Sequence, residues 1–201
     1  MDNIIDTYRS ISSQSEGLFK DNYSRFISLA YPVESEKEVK SILEEVKKKY
    51  HDAHHHCYAY RIGLDGEVWR ANDDGEPSGT AGRQILGQID SAALSDVLII
   101  VVRYFGGIKL GVPGLIAAYK SAAADALANA KEVKKYAVHK YRIDFSYSQM
   151  PVVMDVVKSM ALPSGSKDLS GVKCKIEVKV RLSQEEEFKD KLKYCNLTKL
   201  K

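Results

Sequence analysis

Apolar residues cluster within 16–20 and 25–31, on either side of Asp21-Asn22, and the two segments read as strands of a β-hairpin, the second closed by Pro32. The period then becomes helical. Val39, Ile42, Leu43 and Val46 fall on one face, and Ser35 with Glu38 three residues on has the spacing of a capping box, so a helix is expected to end near Tyr50. His56, Tyr58, Tyr60 and Ile62 alternate with Cys57, Ala59 and Arg61 as a strand, turning at Leu64-Asp65-Gly66 into a partner around Val68-Trp69-Arg70. A short helix is expected over 81–89, a central buried strand over the apolar run 97–102, and a long alanine-rich helix over 113–131 with Pro113 in its first turn.

From Tyr136 the texture changes to strand (138–145), helix (about 151–160), strand (172–182) and helix (185–194), with Ser183 and Glu186 repeating the capping-box spacing. Lys173, Lys175, Lys179 and Arg181 alternate with Cys174, Ile176, Val178 and Val180, which predicts a strand with one basic, solvent-facing side. The pattern as a whole is that of an α+β protein with two domains, residues 1–134 and 135–201. No proline- or glycine-rich linker separates them.

Composition narrows the class. At 201 residues and 44% hydrophobic content the chain can bury a core, and its longest apolar run falls well short of the roughly 18 residues that span a membrane. The start, Met1-Asp2-Asn3, has no basic stretch leading into an apolar core, so a cytoplasmic protein is expected. Cys57, Cys174 and Cys195 form no C-x-x-C pair and read as reduced thiols. Charge is uneven: residues 1–134 hold 16 Lys/Arg against 19 Asp/Glu, whereas 135–201 hold 14 against 8. A basic C-terminal third suits a nucleic-acid or ribosomal partner, although it is also what a solvated surface looks like.

Two glycine-rich turns carry the candidate chemistry. The first, residues 73–82, offers the amides and hydroxyls of Ser78, Gly79, Thr80 and Gly82 to an anion, while Asp74 and Glu76 are hard oxygen ligands that would suit Mg²⁺. The same residues also suit a hairpin turn and an N-capped helix. The second, residues 103–111, adds the cations Arg103 and Lys109, stacking surface from Tyr104 and Phe105, and the glycines Gly106, Gly107 and Gly111. Because each turn leads into a helix, the two are expected to line one surface, with Arg103 or Lys109 within ion-pair reach of Glu76. His54-His55-His56-Cys57 could begin a metal site on a strand, but no matching distant pair completes it beyond His51 and His139. Ser78 lacks the G-x-S-x-G context of a nucleophile, and no catalytic triad is evident.

The segments AHHHCYAYRIG (53–63), DGEPSGTAG (74–82), RYFGGIKLG (103–111) and GLIAAY (114–119) resemble the IMPACT/YigZ family in order and spacing. The resemblance implies that residues 16–131 adopt a β-α fold shared with a small-subunit ribosomal protein domain. It also implies that residues 136–201 form a ferredoxin-like unit similar to the fifth domain of elongation factor G. Two positions depart from the family pattern: Pro113 stands where a glycine is usual, and Ala117 where an arginine is common. Eukaryotic members act in translational control, and bacterial members of this layout have been proposed to bind nucleic acid or ribosomes.

The expectation is a non-catalytic protein without a cofactor that binds RNA, the ribosome or a translation factor. Its contacts would be the two glycine-rich turns and a basic row that includes Lys175 and Lys179. The alternatives are an Mg²⁺-dependent enzyme of phosphoryl or nucleotide chemistry, with Asp74 and Glu76 as metal ligands, and a protein–protein module.

Overall fold

The computed structural model describes residues 5–200, so the reading of Met1-Asp2-Asn3 falls outside them. The chain divides into two compact units: residues 8–135, and residues 136 onward joined by the segment up to Thr7.

In the N-terminal unit, strands β2 (Ser15–Asp21), β3 (Ser24–Pro32), β4 (His55–Ile62), β5 (Val68–Asn72) and β6 (Val97–Tyr104) form one antiparallel sheet in the order β2-β3-β6-β4-β5. Helix α1 (Glu36–Lys49) covers one face, packing Val39 and Val46 on Leu29, Tyr60, Leu98 and Ile100. Helices α2 (Gly82–Ser91) and α3 (Gly111–Ala128) cover the other, against Phe26, Cys57, Ala59, Ile99 and Val101. With both faces covered, β6 is buried along nearly its whole length, as its unbroken apolar run requires. For the same reason β4 buries Cys57 and Ala59 as well as His56 and Tyr60, so its alternation does not sort inside from outside.

The Ser35 hydroxyl accepts from the Glu38 amide at 3.3 Å, the cap that its spacing predicts. The small residues of α3 let it lie close to the sheet edge. A Cβ at Gly17 of β2 would fall 2.4 Å from the Ala126 amide nitrogen, so only glycine fits there. Two short strands with no local signal, β1 (Thr7–Ile11) and β7 (Glu132–Tyr136), pair with each other. The long helix accordingly stops at Ala128 rather than continuing to residue 131.

The C-terminal unit runs strand β8 (Val138–Ser146), helix α4 (Met150–Ser159), strands β9 (Ser164–Asp168) and β10 (Lys173–Arg181), helix α5 (Glu185–Lys191) and strand β11 (Asn196–Leu200). Its sheet order, β11-β8-β10-β9, with βαββαβ connectivity, is the split-βαβ arrangement of a ferredoxin-like unit. Tyr141, Ile143 and Phe145 of β8 and Cys174, Ile176, Val178 and Val180 of β10 pack against Val153, Val156 and Phe188 of the two helices.

One expectation is corrected here. Ser183 does not cap α5: its hydroxyl donates to Asp6 Oδ2 at 2.6 Å, and the cap position, Gln184, makes no side-chain bond. Asp6 also accepts from Arg181 at 2.7 and 3.0 Å, which ties the N-terminal segment into this unit. Those hydrogen bonds and the Arg181 charge outweigh the opposing effect of burial and hold the Asp6 carboxyl well below the usual carboxylate range. Among the described residues no helix is long and apolar enough to cross a membrane.

Candidate functional site

Strands β4 and β6 run antiparallel with His55 opposite Arg103, and β3 places Phe26 opposite Arg103 and Arg25 opposite Tyr104. The start of β4, the end of β6 and the β2–β3 turn therefore meet at one end of the sheet. Both glycine-rich loops are anchored there.

The first loop joins β5 to α2 and is organised by its own carboxylates. Asp73 accepts from the amides of Gly79 (2.8 Å), Ala81 (3.0 Å) and Gly82 (2.8 Å), so the amides at the start of α2 already hold an anion, supplied by the chain. Gly82 is required by crowding, since a Cβ would sit 2.5 Å from the Asn72 amide nitrogen. Asp74 accepts from the His56 amide at 2.7 Å, with Lys47 Nζ 3.6 Å from its other oxygen, and its carbonyl meets His55 Nδ1 at 2.8 Å. Thr80 donates its hydroxyl to the Pro77 carbonyl at 2.7 Å, whereas Ser78 is exposed.

Glu76 turns into the protein. Its Oε1 accepts from Arg103 Nη1 at 2.6 Å and from the Tyr119 hydroxyl at 2.7 Å, with His55 Nε2 3.8 Å away. This is the ion pair expected between the two turns, and it joins them. Both partners are buried, and the Arg103 guanidinium lies over Phe26 at 5.4 Å and Phe105 at 5.6 Å, with Nε lacking a hydrogen-bond partner among the described residues. Breaking such a pair strands a charge in a low-dielectric setting, so it fixes the loops relative to each other.

Burial, reinforced by the nearby Cys57 and Glu76, raises the Tyr119 phenol far above its ordinary range, and burial likewise raises the Cys57 thiol. Both stay protonated at physiological pH, so Cys57 is a packing residue rather than a nucleophile. Burial also lowers the His56 ring from 6.5, which favours its neutral form; its Nε2 lies 3.0 Å from the Tyr50 carbonyl.

The second loop, between β6 and α3, has the opposite character. The Phe105 amide donates to His54 Nδ1 at 3.3 Å and the Gly106 amide to Ser24 Oγ at 3.1 Å. The next four amides, at residues 107–110, donate to no other described residue. Helix α3 starts without a side-chain cap and without an acidic residue in its first turn. Gly107 has φ of 89°, Lys109 is exposed with no partner among the described residues, and Tyr104 donates to Asp52 at 2.8 Å. Pro113 and Ala117, the two departures from the resembled pattern, are exposed on α3.

On β10, Lys173, Lys175 and Lys179 are exposed and Arg181 is half-buried, so the register follows the alternation. Cross-strand neighbours then distinguish them. Lys175 lies between Asp144 and Asp168, Arg181 is held by Asp6, and Lys179 faces Lys140 of β8. Like charges directly opposite each other are unfavourable, which leaves Lys140 and Lys179 as cations in want of an anion. Sequence reasoning missed Lys140 because only the pairing of strands brings it to Lys179. Among the described residues no group of three His, Cys, Asp or Glu side chains could hold a metal ion.

Comparison with known proteins adds a lineage. The Impact N-terminal domain family model matches residues 22–127. The chain is 40% identical over 124 residues to the IMPACT family member YvyE of Bacillus subtilis, spanning 62% of this chain and 57% of that protein. It is 35% identical over 129 residues to the IMPACT family member YigZ of Escherichia coli, spanning 63% of each. The chain thus matches less than two thirds of the length of these relatives. A crystal structure described as a hypothetical protein aligns over 98% of this chain and 99% of its own, with a TM-score of 0.76 and 25% identity.

Proposed function

The chain belongs to the IMPACT family, and we propose that it acts in translational control in the cytoplasm as a non-catalytic protein binding RNA, the ribosome or a translation factor. The observation that carries this reading is the loop at 105–110. It combines four amides and a Lys109 that have no partner among the described residues with an uncapped 18-residue helix behind them, which together favour a negatively charged group. The exposed lysines of the C-terminal sheet, Lys140, Lys173 and Lys179, supply a second set of cations. The expected resemblances to a ribosomal protein domain and to a domain of elongation factor G belong with this reading.

The first loop favours binding over catalysis. An Mg²⁺ held by Asp74 and Glu76 would compete with the His56 amide for one carboxylate and with Arg103 and Tyr119 for the other. The amides of Gly79 and Gly82, offered to an anion by the sequence, are engaged by Asp73.

A salt titration tests the proposal. Purified protein should bind RNA or ribosomal particles with a log–log salt slope of roughly −2 to −3, the value for three or four neutralised phosphates on a single strand. Absence of binding at low salt, or binding indifferent to salt, would overturn it.

A further inference from the structure

Asp21 and Ser24 are the last pair of the β2–β3 ladder, so the hairpin closes through Asn22 and Tyr23 alone. Both have left-handed backbone, with φ of 43° and 63°. A two-residue turn of this kind favours glycine at its second position, because a Cβ there crowds the neighbouring carbonyl. Tyr23 occupies that position with a ring that is 84% exposed. The side chain adds backbone strain and takes little apolar surface out of water, so folding gains nothing from it.

The tip is also fixed in place. A Cβ at Gly106 would fall 2.1 Å from the Tyr23 carbonyl carbon, so the second loop lies directly on the turn, and the Gly106 amide holds Ser24 Oγ at 3.1 Å. That contact sets the Tyr23 backbone against Gly106, the chain neighbour of Phe105, whose ring is 38% exposed. Cations lie on the adjoining strands and on the second loop. Lys20 and Arg25, both exposed, face each other across the hairpin ladder, a like-charge pairing that the sheet does not favour. The Arg25 guanidinium lies 4.9 Å above the Tyr104 ring, and Lys109 projects from the same loop as Phe105. Asp52, close to this group, is engaged by the Tyr104 hydroxyl at 2.8 Å.

We propose that this end of the N-terminal sheet binds single-stranded nucleic acid, with unpaired bases stacked on Tyr23 and Phe105 and phosphates held by Lys20, Arg25, Lys109 and the amides of residues 107–110. Aromatic faces set among cations suit such a strand, because every base has a face to stack and every linkage a charge to neutralise. The inference rests on the reading that the ligand is an anionic polymer, and adds that its bases must be free. A duplex hides its bases, and polyphosphate has none.

The experiment measures binding of a 12-residue oligouridylate, the same strand in a duplex with oligoadenylate, and polyphosphate of similar length, to the full chain and to Tyr23→Gly and Phe105→Leu. The single strand is expected to bind about tenfold more tightly than the other two, and each substitution to cost it about that factor, within the range for one base stacked on one ring. Polyphosphate affinity should be unchanged by either substitution. Tyr23→Gly should melt no lower than the parent chain, since glycine relieves the turn, so a loss of binding in that variant is not a loss of fold. Equal binding of the three ligands, unmoved by Tyr23→Gly, would overturn this inference and leave the anionic-polymer reading standing. Failure of all three to bind at low salt would overturn both.

Discussion

The two glycine-rich loops meet at one end of the same sheet and each leads into a helix, yet one is closed and the other open. Residues 73–81 carry their own anion: Asp73 holds three amides at the start of α2, and Glu76 is held by Arg103 and Tyr119. Residues 105–110 contain no acidic side chain, and four of their amides together with the start of α3 have no partner among the described residues. Glycine content therefore does not distinguish a turn whose amides are satisfied by the chain from one whose amides are left free. What does is whether the chain brings a carboxylate to its own amides.

The largest expected effect lies at the junction of the loops. Glu76→Ala should destabilise the N-terminal unit by about 3–5 kcal/mol, because Arg103 then stays buried without its counter-ion. Chemical denaturation measures this, and the double change Glu76→Leu with Arg103→Met should recover most of the loss if the stranded charge is the cause.

Asp73→Ala should open the closed loop. It should cost about 1–2 kcal/mol, as expected for loss of a helix cap, and it should make the melting temperature rise with added sulfate more than in the parent chain. An equal response to sulfate in both proteins would show that the carboxylate is not what separates the loops.

The closed loop should also respond to pH through His56, whose amide is bonded to Asp74. Burial lowers its folded-state value from 6.5, with Lys47 and His55 acting in the same direction and Asp74 against. The unfolded chain therefore takes up the proton first as pH falls. Stability from this group is intact above 6.5 and declines as pH drops through 6.5 toward the folded-state value. In His56→Gln, melting curves between pH 7 and 5 should lose that part of the slope.

The smallest effect on stability is expected in the open loop and on the basic row. Lys109→Ala should change stability by no more than about 0.5 kcal/mol while reducing the steepness of the RNA salt slope by about 0.7, one phosphate contact. Lys140→Ala and Lys179→Ala should act similarly in binding. Lys175→Ala should do less, because Asp144 and Asp168 flank it.

Much of this architecture is legible in the sequence because its signals are local. The Ser35 cap, the central strand β6, the alanine-rich α3 and the alternation on β10 each lie within one stretch of chain. The strands that escape notice owe their existence to distant partners. β1 pairs with β7 more than 100 residues away, and β9, with sequence SGSKD, is exposed throughout and has no apolar face to read. Ser183 has the spacing of a cap, but Asp6, far off in sequence, takes its hydroxyl. The same holds for the candidate site. The pairing of Glu76 with Arg103 follows from charge and loop order, whereas the capture of Gly79, Ala81 and Gly82 by Asp73 depends on a turn geometry that residue types do not specify. Nothing in the sequence marks Tyr23, because the two-residue turn that holds it is set by the pairing of Asp21 with Ser24.

On the proposed function the second loop, not the first, receives the ligand. Amide chemical shifts recorded by NMR during titration with a short single-stranded RNA test it directly. Shifts are expected at Gly106, Gly107, Lys109 and Gly111, with Gly79, Ala81 and Gly82 unmoved because Asp73 already holds them. Shifts concentrated at Gly79–Gly82, with the residues of the second loop unmoved, would contradict it.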